Sequence, residues 1–201
     1  MKILSGSLIA EDLTARLLNR REMLGPCTDL NGLRHRLAEL PWTPTGDWTD
    51  FGRGSQAVRQ LMLSAALTAG DFGAPLPEGT GVIGWNGCGC AAENLRFWQD
   101  YVQNGRLNGR GGLFVATLPT IPFCEAAIAF GWRGPSAYFR TENSTGALFR
   151  LLAYRPAGKY LIGEITQKSV CSLLLETDPE LPELPDFASL DKLFLHLEER
   201  P

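Results

Sequence analysis

The sequence predicts an α/β domain, a mixed five-stranded sheet with helices on both faces. Three observations carry this reading. Residues 2–9 and 81–85 are uncharged after Lys2 and mostly apolar, as suits strands buried on both faces. Between them, Ser55–Ala69 places Val58, Leu61, Met62, Ala65, Ala66 and Ala69 at helical spacing, a core stripe with small residues for close packing. Residues 122–166 then alternate helix, short aromatic strand, helix and strand.

The elements follow in order. After the first strand, Glu11–Met23 has helical spacing at Leu13, Leu17 and Leu18, with Arg16, Arg20 and Arg21 towards the end that favours cations. Residues 25–50 are irregular, broken by Gly25-Pro26, Asn31-Gly32, Pro41, Pro44 and Gly46. A short helix is expected within Leu30–Leu40, with Trp42 and Trp48 as packing anchors. Ser55 caps the long helix. Gly81–Trp85 is the second strand. Asn86–Cys90 is a glycine-rich turn into a helix over Ala91–Gln103. It matches neither nucleotide-loop pattern and offers no lysine to a phosphate, so a tight turn explains its glycines. Residues 103–112 (QNGRLNGRGG) are basic and flexible in composition, and Pro119 and Pro122 shape Leu113–Pro122 as a loop.

The next stretch carries the candidate chemistry. Phe123, Ala126, Ala127 and Phe130 make one helix face, Gly131 ends that helix, and Gly134-Pro135 turns the chain. Ser136–Thr141 is the third strand. Asn143–Gly146 opens another helix, with Asn or Ser suited to its cap. Lys159–Thr166 is the fourth strand, and Val170–Leu175 a further or edge strand. A strand, sharp elbow and helix is the arrangement that holds a nucleophile over a helix N-terminus. The candidate site is therefore Thr141, Glu142, Asn143, Ser144 and Gly146. An acidic, proline-rich linker follows over Glu176–Phe187, with Pro179, Pro182 and Pro185, then an amphipathic helix over Ser189–Glu199. The expected division is 1–175 for the α/β unit and 176–201 for linker and terminal helix.

Composition narrows the classes. The 201 residues can bury one good core. A net charge of −3 argues against a nucleic-acid binder, which needs a concentrated basic surface. No apolar run reaches the length of a membrane span. The start lacks the pattern of a signal peptide, so the expectation is cytoplasmic. The five cysteines have no disulfide-scaffold spacing. Cys88 and Cys90 form a C-x-C without a neighbouring histidine, which reads as reduced thiols in a turn rather than a metal or redox site. Cys124 reads as a packed small hydrophobe, and His35 and His196 as surface residues. No cofactor or metal is called for.

The segment FGWRGPSAYFRTENSTGA resembles the nucleophile elbow of the β-ketoacyl synthases of fatty acid and polyketide synthesis. That elbow runs helix, G-x-x-G-P, short strand, then T-A-C-[AS]-[TS]-G. Gly131, Gly134, Pro135, Thr141, Thr145 and Gly146 match it. The nucleophilic cysteine of the family falls on Asn143, and an amide cannot attack a thioester. Upstream, MKILSGSLIA is similar to the family's opening strand, FGRGSQAVRQLMLSAALTAG to its R-x-S helix, and GTGVIGWNGCGCAAENLRFWQDYV to its glycine-rich strand and turn. The resemblance covers about residues 1–166 and the first half of a ketosynthase.

It implies the N-terminal half of the thiolase-like fold. Condensation in that family needs the cysteine, two histidines of the second half and backbone oxyanion donors. Neither His35 nor His196 stands where those histidines stand. Glu142 beside the elbow would repel an anionic malonyl group, or pair locally with Arg140. Chain-length factors of aromatic polyketide and polyene systems replace the cysteine, some with an amide, and pair with an active ketosynthase. By this resemblance the chain is a non-condensing homologue in fatty acid, aryl-polyene or polyketide synthesis, chain-length-factor-like, its elbow a pseudo-active site. Its partner would be a full-length ketosynthase or a second copy as a dimer, with acyl carrier protein a further one. The alternatives are a decarboxylase or hydrolase built on Asn143, Ser144 or Cys88, and an acyl- or carrier-protein-binding scaffold.

Overall fold

A computed structural model describes residues 1–105, 110–178 and 184–199. The basic stretch at 106–109 and the prolines Pro179 and Pro182 lie outside them. Among the described residues the sheet is mixed, with helices on both faces, and has seven strands in the order β3 (Met23–Leu24), β2 (Ala15–Leu17), β1 (Lys2–Ala10), β7 (Ser169–Thr177), β6 (Gly158–Ile165), β4 (Gly81–Trp85) and β5 (Ser136–Phe139). All five expected strands are present: β1, β4, β5, β6 and β7. β4 pairs in parallel with both β5 and β6, while β7 is antiparallel to both of its neighbours.

The two extra strands are β2 (Ala15–Leu17) and β3 (Met23–Leu24), and they replace the helix expected over Glu11–Met23. The helical spacing of Leu13, Leu17 and Leu18 competed with a period of two. Ala15 and Leu17 are buried and Arg16 is exposed between them, a strand alternation against the open edge of β1. Leu13 and Arg21 take positive φ values of 58° and 52°, which no helix tolerates and which turn the chain at each end. β7 is not an edge strand. It lies between β1 and β6, where Val170 through Leu175 are all buried.

On one face lie α1 (Leu30–Ala38), α2 (Gln56–Phe72) and α5 (Ile121–Phe130). Asp29 and Ser55 cap the first two, and Gly131, at φ 69°, ends the third. Helix α2 packs against β1 and β7 through small residues, and a buried hydroxyl ladder joins the layers. Ser7 Oγ donates to the Ser64 carbonyl at 2.9 Å, and Thr68 Oγ1 lies 2.6 Å from Ser172 Oγ. At the far end of α2 the Asp71 carboxylate accepts from the Gly6, Asn19 and Arg20 backbone N–H groups, tying the helix to β1 and to the β2–β3 turn. Trp42 and Trp48 pack half-buried against this layer.

The other face holds α6 (Thr145–Ala153) and α7 (Leu190–Glu198). Leu148, Phe149 and Leu152 of α6 and Leu190, Leu193 and Phe194 of α7 bury against Ile83, Trp85, Ile162 and Leu173. The terminal helix therefore folds back onto the sheet and covers it. Helix α3 (Ala91–Asn104) differs from the rest: none of its residues is buried, and it packs on α4 (Gly111–Val115), a short helix where a loop was expected.

Candidate functional site

The site forms where β4 and β5 end side by side. β4 stops at Trp85 and the chain turns at Asn86, φ 40°, and Gly87, φ 62°. A Cβ at position 87 would lie 2.1 Å from the Ile165 carbonyl oxygen, so only glycine fits there. The Cys88 N–H donates to that carbonyl at 2.8 Å. β5 stops at Phe139, whose carbonyl accepts from the Asn86 N–H at 2.9 Å.

Asn86, buried, holds the elbow. Its Oδ1 accepts from the Thr141 N–H at 2.9 Å. Its Nδ2 donates to the Glu142 carbonyl at 3.3 Å and to Asn143 Oδ1 at 3.2 Å. The Trp85 indole N–H donates to Thr141 Oγ1 at 2.9 Å, and the Tyr138 hydroxyl donates to the Asn86 carbonyl. One side chain from the turn after β4 thus fixes three consecutive residues of the turn after β5.

Ser144, not Asn143, caps α6, its Oγ accepting from the Ala147 N–H at 3.1 Å. The same hydroxyl donates to the Asp186 carboxylate at 2.9 Å. Asp186 Oδ1 also accepts from the Gly146 N–H at 2.8 Å. Next to it, Thr145 N–H donates to the Phe187 carbonyl and Phe187 N–H to Thr145 Oγ1, both at 2.8 Å. The chain's own carboxylate therefore sits on the first turn of the elbow helix, where the helix dipole favours negative charge. These hydrogen bonds, that of Gly146 first, hold the Asp186 carboxyl below its ordinary value.

Several expectations change in detail. Glu142, just before α6, pairs with Arg150 of that helix at 3.5 Å, not with Arg140. His196 is half-buried rather than on the surface, its ring 5.0 Å from that of Phe187. It thereby approaches the Asp186 segment, but Ser144 meets Asp186 directly. Ser144 is thus engaged as cap and donor, and a carboxylate with a lowered pKa is a weak base for activating it.

The cysteines sit apart from this chemistry. Burial, with Glu93 nearby, pushes the Cys90 thiol up to about 11, so it stays protonated near neutral pH. Cys124 is half-buried and raised for the same reason. Among the described residues no group of three or more His, Cys, Asp or Glu is placed to hold a metal. Among them, too, no helix is long and apolar enough to cross a membrane.

Below the turn lies Glu164, 6% exposed. Its Oε2 accepts from the Leu190 N–H at 2.7 Å, and the Gly87 N–H lies near enough to draw its pKa down. Burial, with the charge of Asp191 adding to it, pushes this carboxyl up to about 7 against the pull of those two N–H groups. Asn86, Glu164 and Asp186 are the residues that sequence reasoning missed. Asn86-Gly87 carried a local turn signal. Asp186 and Glu164 carried none, because their partners are distant in the chain.

Neither a protein-family model nor a curated protein sequence matches this chain. Solved structures do. The ketosynthase ApeO in complex with its chain length factor ApeC, from Xenorhabdus doucetiae, contains a chain similar at 14% identity with a TM-score of 0.59. That match spans 99% of this chain and 92% of the other. The ishigamide ketosynthase/chain length factor is similar at 15% identity with a TM-score of 0.57, over 91% of this chain and 63% of that one. At such identities the likeness speaks for the fold alone: this chain shares its fold with a chain in each of these ketosynthase/chain-length-factor structures.

Proposed function

We propose that this protein is a non-condensing ketosynthase homologue of chain-length-factor type, acting in polyketide, aryl-polyene or fatty acid synthesis beside an active ketosynthase. The observation that carries the reading is the filled elbow. The residue at the nucleophile position is the amide Asn143, bonded to Asn86, and the Gly146 N–H in the first turn of the elbow helix is taken by Asp186. A thioester would meet no thiol there, and its oxyanion would compete with a resident carboxylate. Thr141, Glu142, Asn143, Ser144 and Gly146 then serve as a structural pseudo-active site.

Two surfaces support a protein partner. Among the described residues nothing pairs with the outer edge of β5, which is open to strand addition. Helices α3 and α4 expose Leu95, Trp98, Val102 and Phe114, each by more than half, a cluster that isolated soluble domains seldom leave uncovered. The complexes to which the fold is similar pair a ketosynthase with a chain length factor. A full-length ketosynthase is therefore the partner inferred first, a second copy the alternative, and acyl carrier protein a transient visitor to the pair.

The deciding measurement is the native mass of the tagged protein drawn from its own cells. A 1:1 complex with a full-length ketosynthase is expected. A homodimer or monomer would remove the complementing-subunit reading, as would condensation of malonyl- and acyl-carrier-protein by the purified chain alone.

A further inference from the structure

A cavity opens on the same side of the sheet as the elbow. β1, β6, β4 and β5 all run in one direction, so the ends of β1 and β6 point where the elbow points. Carboxyl ends of strands are where open α/β sheets take ligands. Here the β1–β2 turn, the starts of α1 and α2, and the β6–β7 turn surround a cavity of about 440 Å³. Its polar lining includes Glu11, Asp29, Gln56, Arg59, Gln60 and Lys168.

Arg59 is the unexplained member. Its Nε is shut off from solvent and has no hydrogen-bond partner. Among the described residues its guanidinium makes no ion pair or side-chain hydrogen bond. A buried N–H such as this Nε–H is costly without an acceptor, and folded proteins seldom leave one so. Two neighbouring polar groups are engaged already. Asp29 Oδ1 is held by the Gly32 N–H at 2.7 Å, and Ser55 accepts from the Val58 N–H at 3.3 Å. Glu11 is exposed and forms no ion pair with Arg59. The starts of two helices add positive potential to the same space.

We propose that this cleft binds a small ligand through one anionic oxygen group, phosphate or carboxylate, seated on Arg59 and Lys168. The guanidinium supplies a planar fork matched to either group. Gln56 and Gln60 supply neutral donors and acceptors to the remainder of the ligand. A volume of about 440 Å³ suits a small molecule rather than a bare ion. Glu11 and Asp29 at the lining oppose a polyanion, so the group carries one or two charges rather than many. The site is separate from the elbow and stands whether or not a ketosynthase is the partner.

The test is a titration of the full chain with inorganic phosphate and, separately, acetate, at constant ionic strength, followed by nitrogen–proton NMR. A saturable shift of the Arg59 Nε–H signal and of the backbone N–H groups at 56–60 is expected. Response to phosphate alone assigns a phosphate group, response to acetate alone a carboxylate, and response to both the shared chemistry. Arg59→Met should abolish the response, and Lys168→Gln should weaken it about tenfold, the scale of one charge-assisted hydrogen bond. No saturable shift with either anion would overturn the proposal, as would a wild-type response in Arg59→Met. If Arg59→Met does not fold, the exposed Lys168→Gln decides: weakened binding supports the site and unchanged affinity overturns it.

Discussion

The Asp186 carboxylate accepts the Gly146 N–H at 2.8 Å, across 40 residues of chain, and so occupies the start of the helix on which an elbow nucleophile would depend. Removing it should reopen that position. Asn143→Cys places a thiol there, and its alkylation by iodoacetamide reports the local potential. The new thiol should react about three- to tenfold faster when Asn143→Cys is combined with Asp186→Ala, since a vacant helix N-terminus lowers a thiol pKa. Equal rates in the single and double variants would show that Asp186 does not set the field at the elbow. The same carboxyl is held below its ordinary value when folded, so its contribution is present at neutral pH and fades as pH falls through the acid range. Asp186→Asn should flatten that acid limb.

Asn86 is the brace between the two turns. Asn86→Ala removes its three side-chain bonds to 141–143 and puts a Cβ-bearing, non-bonding residue at φ 40°. A loss of about 3 kcal/mol in urea unfolding is expected. Asn86→Gly keeps the backbone freedom and should lose about 2 kcal/mol. A loss below that of an ordinary surface change would mean that the elbow is held by other contacts.

Glu164 makes stability depend on pH in the unusual direction. Its folded pKa is raised to about 7 from the ordinary 4.5, so the folded chain keeps a proton that the unfolded chain gives up. Its contribution is full below 4.5 and is lost as pH rises through about 7. The displacement corresponds to about 3 kcal/mol. Glu164→Gln should remove this slope, which paired unfolding curves at about pH 5 and about pH 8 would detect. An unchanged slope would place the titration elsewhere.

Helix α7 is part of the core of the second face. Phe194 is fully buried there, so Phe194→Ala should cost about 4 kcal/mol through lost burial and the cavity left behind. A cost under about 1 kcal/mol would mean that α7 docks loosely on the sheet.

Trp98 tests the partner surface. It is 59% exposed, so Trp98→Ala should leave unfolding of the isolated chain within about 0.5 kcal/mol of wild type. If α3 meets the ketosynthase, the same change should weaken the complex at least about tenfold, as loss of an interface anchor does. Binding unchanged by Trp98→Ala would move the interface away from α3.

Local signals in the chain were enough for the layered α/β fold and for the elbow. Strand runs at β1, β4, β6 and β7, the core stripe of α2, and Gly131 before Gly134-Pro135 are written in the residues that carry them. Asn143 was set at the nucleophile position of the elbow by resemblance to the ketosynthase segment, not by a local signal. The remaining choices were made in three dimensions, for one physical reason: they depend on partners distant in the chain. The open edge of β1 turned Ala15–Leu17 into a strand, against a helical spacing. Ser172 and Leu173 became central because β1 and β6 both had edges to satisfy. Ser144 became a donor to Asp186, and Glu164 an anchor for Leu190, only once α7 folded back over the sheet, bringing a carboxylate to the helix start that the sequence left open.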